Sequence, residues 1–118
     1  MADVQRSSPK IEETDWGRLE WYASGELGNS TAVTVGLCEI APGRTNGRHR
    51  HPNCTEILTV ERGSIIHYWN DEQCTMQVGD VISIPRDVPH SAENIGREPA
   101  RLFIVFDSPC RETERVGL

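Results

Sequence analysis

Apolar and polar positions alternate along this chain in short runs, and few stretches show helical spacing. In residues 16–22, Leu19 and Trp21 share one face while Arg18 and Glu20 share the other, which predicts a strand. A β-branched run, TAVTVGLCEI over residues 31–40, predicts a second strand and ends at Ala41-Pro42-Gly43. Further strands are predicted over 56–60, 64–69, 74–78, 81–84 and 101–106. They are separated by Glu61-Arg62-Gly63, a turn over 70–72, Gly79-Asp80 and Pro85, and Asp107-Ser108-Pro109 closes the last. Short strands punctuated by glycine and proline predict an all-β fold, a sandwich or a barrel. Residues 1–14, polar and carrying Ser7, Ser8 and Pro9, read as a flexible N-terminal segment. Residues 15–112 then make one barrel domain and 113–118 a C-terminal tail.

Composition narrows the partners. At 118 residues the chain is one domain long, since domains cluster near ~100–150 residues. A net charge of −6 argues against a nucleic-acid partner, because phosphates call for a basic face. No run approaches the ~18 apolar residues of a membrane helix. The start, MADVQRSSPK, lacks a basic stretch followed by an apolar one. A cytoplasmic location with no membrane partner is therefore expected. Cys38, Cys54, Cys74 and Cys110 stand singly with no C-x-x-C pair, which argues against a zinc ribbon and fits reduced thiols. Cys54 reads as a packing or loop residue rather than a nucleophile.

Candidate chemistry gathers in two segments. His49 and His51 are one residue apart, so on a strand both imidazoles project from the same face. Glu56 follows across Pro52-Asn53-Cys54, and His90 stands far downstream after Pro89. Two same-face imidazoles, a carboxylate and a third imidazole from a neighbouring strand form a ligand set suited to a divalent metal. These residues also carry a resemblance to the cupin family. Gly43, His49, His51, Glu56 and Gly63 reproduce the spacing of its first motif, G-x5-H-x-H-x4-E-x6-G. Gly79, Pro85, His90 and Asn94 reproduce its second, G-x5-P-x-G-x2-H-x3-N, with Asp87 in place of the second glycine. Asp is among the few residues that tolerate a positive φ, so this departure bears on loop shape and not on the ligand. Asn94 is expected to satisfy backbone groups in the loop after its strand.

The resemblance implies a double-stranded β-helix, a jelly-roll-like barrel, with one divalent metal held by His49, His51, Glu56 and His90. Fe(II) or Mn(II) is favoured, with Ni(II) and Zn(II) as further options, and coordination positions stay open for a substrate. It implies a small metalloenzyme acting on a small oxygenated or carboxylate molecule. The chemistry is that of a dioxygenase-type oxidoreductase, or of an isomerase, decarboxylase or lyase whose metal stabilises an enolate. Glu56 is then the candidate catalytic residue. The alternative is a non-catalytic cupin that binds or senses a sugar-like small molecule. Facing cannot be set from spacing at His67, Arg44 or Arg86. His67 reads as a packed or exposed strand residue or, if it faces inward, as a proton shuttle. Arg44 and Arg86 are candidates to meet an anionic substrate at a barrel mouth, whereas Arg48 and Arg50 should point away from the ligands. An exposed edge near residues 16–22 predicts a homodimer with Trp16 and Trp21 as interface anchors.

Overall fold

The computed structural model describes residue 4 and residues 8–117. Among the described residues there are eleven strands. The first six are β1 (Lys10–Glu13), β2 (Gly17–Ala23), β3 (Thr34–Ile40), β4 (His49–Arg50), β5 (Glu56–Arg62) and β6 (Ser64–Trp69). The rest are β7 (Glu72–Gln77), β8 (Val81–Ile84), β9 (His90–Asn94), β10 (Ala100–Phe106) and β11 (Glu114–Arg115). They form two antiparallel sheets, one ordered β1-β2-β3-β10-β5-β8 and the other β11-β4-β9-β6-β7. The fold is all-β, as the alternation predicts.

The core lies between the sheets. On β10, Ala100, Leu102, Ile104 and Phe106 are buried while the residues between them are half-buried on the outer face. On β5 the inward positions are Glu56, Leu58 and Val60, so a carboxylate occupies a place that the pattern would give to an apolar residue. Trp21 stands opposite Gly36 on β3. A Cβ at position 36 would lie 2.5 Å from the indole Cε3, so only glycine lets the ring lie across that strand.

Several expectations change. Residues 10–13, expected within a flexible N-terminal segment, form β1, because β2 would otherwise present an unpaired edge. The tail is docked too, since β11 pairs with β4. The strand predicted over 31–40 begins only at Thr34, because Ser30 Oγ accepts the Ala32 and Val33 N–H groups in a turn. Trp21 is 5% exposed and belongs to the core, and Trp16 packs against that core. The expected role of Trp21 as an interface anchor does not hold, because the inward side of β2 carries Leu19 and Trp21 into the space between the sheets.

Candidate metal centre

Four donors converge from separate elements. His49 on β4 lies opposite His90 on β9, His51 follows directly after β4, and β5 delivers Glu56 from the other sheet. One ligating atom from each of His49, His51, Glu56 and His90 lies within 4.8 Å of the others. Glu56 Oε1 is 3.2 Å from His51 Nε2 and 3.1 Å from His90 Nε2.

The backbone sets the orientation of each imidazole. His49 Nδ1 lies 2.8 Å from the Gly47 carbonyl and His90 Nδ1 lies 2.8 Å from that of Val88. His51 Nδ1 is 2.9 Å from the Glu112 carbonyl, with Thr113 Oγ1 at 3.2 Å. A carbonyl only accepts, so in all three rings Nδ1 carries a hydrogen and Nε2 is the atom turned to the centre, where in the metal-free chain His90 Nε2 donates to Glu56 Oε1 at 3.1 Å. His51 Nε2 is buried without a hydrogen-bond partner among the described residues, despite its closeness to Glu56. A buried lone pair left in this state is what a bound cation would satisfy, so the residues present fit a metal ion.

The charges agree with this. Burial alone would raise the Glu56 carboxyl, but the closeness of His51 and the hydrogen bond from His90 overturn that and hold it well below the usual range. Burial, helped by the neighbouring His90, lowers His49 to about 4, so at neutral pH the ring is an uncharged donor. Burial also pulls on His90, but the Glu56 hydrogen bond outweighs it and the net shift is upward. Burial raises the Cys38 and Cys54 thiols, which are therefore not thiolates, in line with the packing role expected of Cys54.

A cavity of about 310 Å³ opens beside the donors. His49, His51 and Glu56 line it, Leu19, Trp21 and Leu102 give it an apolar wall, and Arg111 and Thr113 close on it from the C-terminal segment. Arg44 and Arg86, candidates for an anion at the mouth, are exposed and do not line this cavity. Arg50 points away as expected, its Nη2 2.9 Å from Glu114. His67 faces inward, fully buried, and stacks on His90 with ring centroids 5.8 Å apart. Neither of its nitrogens has a hydrogen-bond partner among the described residues. Asp87 takes φ 68° and donates its N–H to the His51 carbonyl at 2.9 Å. Asn94 serves the loop as expected, donating to the Ile40 and Glu98 carbonyls and accepting from Gly96 N–H, each at 2.8 Å. Arg111 and the Glu112 carbonyl escape sequence reasoning. They lie beyond the last clear strand, where no periodicity marks them.

Comparison with known proteins agrees with this geometry. Residues 36–106 match the Cupin domain family, so the chain belongs to the cupins. A germin-like protein of Arabidopsis thaliana, subfamily 2 member 2, is 29% identical over 94 residues, covering 75% of this chain and 43% of that protein. Oxalate oxidase GF-3.8 of Triticum aestivum is 30% identical over 103 residues, covering 80% and 44%. The structure of Lactobacillus farciminis oxalate decarboxylase in complex with formate, 26% identical, superposes with a TM-score of 0.81 over 92% of this chain and 33% of that one. The chain spans less than half the length of each of these proteins.

Proposed function

We propose that this cupin is a metal-dependent enzyme acting on a small oxygenated or carboxylate molecule, with His49, His51, Glu56 and His90 as ligands of one divalent cation, Mn(II) or Fe(II). The observation that carries this reading is the fixed outward Nδ1–H of three imidazoles, which turns three Nε2 atoms and one carboxylate towards one point beside an open cavity. Three nitrogens and one carboxylate oxygen suit first-row divalent metals, with Ni(II) and Zn(II) less favoured here. Such a cation supplies Lewis-acid polarisation of a substrate oxygen and, as Fe(II) or Mn(II), access to electron transfer. The chain's own part is positional and electrostatic. Backbone carbonyls stop the rings from turning, ionised Glu56 lies between two of them, and the apolar wall keeps water from the reacting molecule. As a carboxylate that can leave its ligand position, Glu56 is also the proton acceptor in this reading. The names of two relatives, an oxalate oxidase and an oxalate decarboxylase, favour redox or decarboxylation chemistry.

The test is reconstitution under anaerobic conditions with Mn(II) or Fe(II), followed by O2 uptake and CO2 release with oxalate, other small carboxylates, catechols and 1,3-diketones. Metal-dependent turnover that disappears in His51→Ala is the expected result. Tight metal binding with no turnover across these substrates would replace the enzyme with a binding or sensing cupin.

A further inference from the structure

We propose that Arg111 is the anion-binding residue of this cavity, and that the ligand it takes is a small carboxylate whose apolar remainder lies along Leu19, Trp21 and Leu102. The proposal rests on the metal reading only in treating the cavity as a substrate site.

The guanidinium carbon of Arg111 lies 4.2 Å from the centre of the Trp21 ring and 5.3 Å from that of Phe106. Its Nη1 donates to Thr113 Oγ1 at 2.5 Å. Among the described residues no carboxylate lies within ion-pair distance of it. Arg18, Arg50, Arg62 and Arg101, by contrast, each have one within 4.0 Å. Glu12 and Glu56 act on Arg111 only through longer-range charge, and burial, the largest influence, lowers its pKa. Arginine nevertheless stays protonated, so a half-buried cation faces the cavity without a neutralising partner.

Such a group is costly unless something compensates it, and an uncharged side chain would fill the same space against two aromatic rings. The rings cover the face of the guanidinium and leave its edge for donation in the plane, where its fork matches the two oxygens of a carboxylate. The site also connects to the metal donors. The Phe106 ring that lies near the guanidinium meets His51 edge-on with centroids 4.9 Å apart. Arg111 and the His51–Glu56 pair therefore line one space of about 310 Å³, at the small end of the ~300–1,000 Å³ range of ligand sites. That size selects a short carboxylate.

The test compares isobutyrate with isobutyramide, which share a shape and differ in charge, on Mn(II)-loaded and metal-free protein. Tryptophan fluorescence reports binding because Trp21 lies under Arg111. In the wild type, isobutyrate is expected to bind about tenfold or more tightly than isobutyramide in both forms. Arg111→Gln should lose that preference while keeping its amide affinity, its bound manganese and its melting temperature. Arg111→Lys should fall between, since a point charge lacks the fork. Equal binding of the two probes by the wild type, or unchanged isobutyrate affinity in Arg111→Gln, overturns the proposal. So does a Gln variant that weakens both probes equally along with its melting temperature. If Arg111→Gln fails to fold, the wild-type preference and Arg111→Lys decide the matter. If the wild type binds no manganese, the metal reading fails, and the metal-free comparison still decides the role of Arg111.

Discussion

The imidazoles at the centre are held in two different ways. His49 and His90 are each oriented by a carbonyl two residues earlier in their own segment, Gly47 and Val88. His51 is oriented by Glu112, 61 residues away, on the C-terminal segment. Asn53 clamps that segment, donating to the Cys110 carbonyl and accepting from Glu112 N–H, both at 2.9 Å. The Arg50–Glu114 ion pair, the short β4–β11 pairing and the Val116 N–H bond to the Arg48 carbonyl add to this. Two donors are thus pre-set wherever their own segments form, whereas the third takes its orientation only when the tail is docked. Metal affinity and tail docking are therefore coupled at His51 Nδ1, through the Glu112 carbonyl and the neighbouring Thr113 Oγ1.

The two locally held rings also differ electrostatically, and this gives the largest expected effect. His49 and His67 titrate near 4 in the folded chain, below their ordinary 6.5. Between those values only the unfolded chain takes up the two protons, so acid favours unfolding. His90, raised from 6.5, acts in the opposite sense, since above that pH only the folded chain keeps its proton. Metal-free protein should lose stability as pH falls from 6.5 towards 4. The limit is about 1.4 kcal/mol per pH unit for each ring. A smaller loss is expected on the alkaline side. Denaturant melts across this range check both limbs, and a flat profile would contradict the assignment.

Ending the chain after Arg111 removes the acceptor of His51 and spares those of His49 and His90. Metal affinity, measured by competition with a chelating dye, should drop by roughly 10- to 100-fold, the usual effect of losing a partner behind a metal ligand. Unchanged affinity would show that His51 needs no tail. Asn53→Ala keeps the tail but loosens its clamp, so the loss should be smaller, about tenfold or less. Least affected should be Asp87→Gly. It relieves a left-handed residue at a cost in chain entropy, so stability should shift by less than ~1 kcal/mol with metal affinity intact. A large drop there would mean that the Asp87 side chain, and not only its N–H bond to the His51 carbonyl, holds that segment.

This contrast matches what can be read from sequence. Glu56 and His90 are legible because their strands alternate, and His49 and His51 because their spacing matches the cupin motif, although β4 is only two residues long. Asp87 is legible as a turn residue because few side chains accept its φ of 68°. The inward facing of His67 follows only once the register of β6 against β9 is known, which places it beside Ala92. Arg111 and the tail are not legible. β11 is two residues long, too short for a period, and the contacts that place it span about half the chain.

In the proposed function four side chains surround one cation. Crystals grown with Mn(II) and measured for anomalous scattering test it directly. One strong peak per chain is expected, bonded to the Nε2 atoms of His49, His51 and His90 and to a Glu56 oxygen, and lost in His90→Ala. A peak elsewhere, or manganese that persists in place without His90, would contradict it.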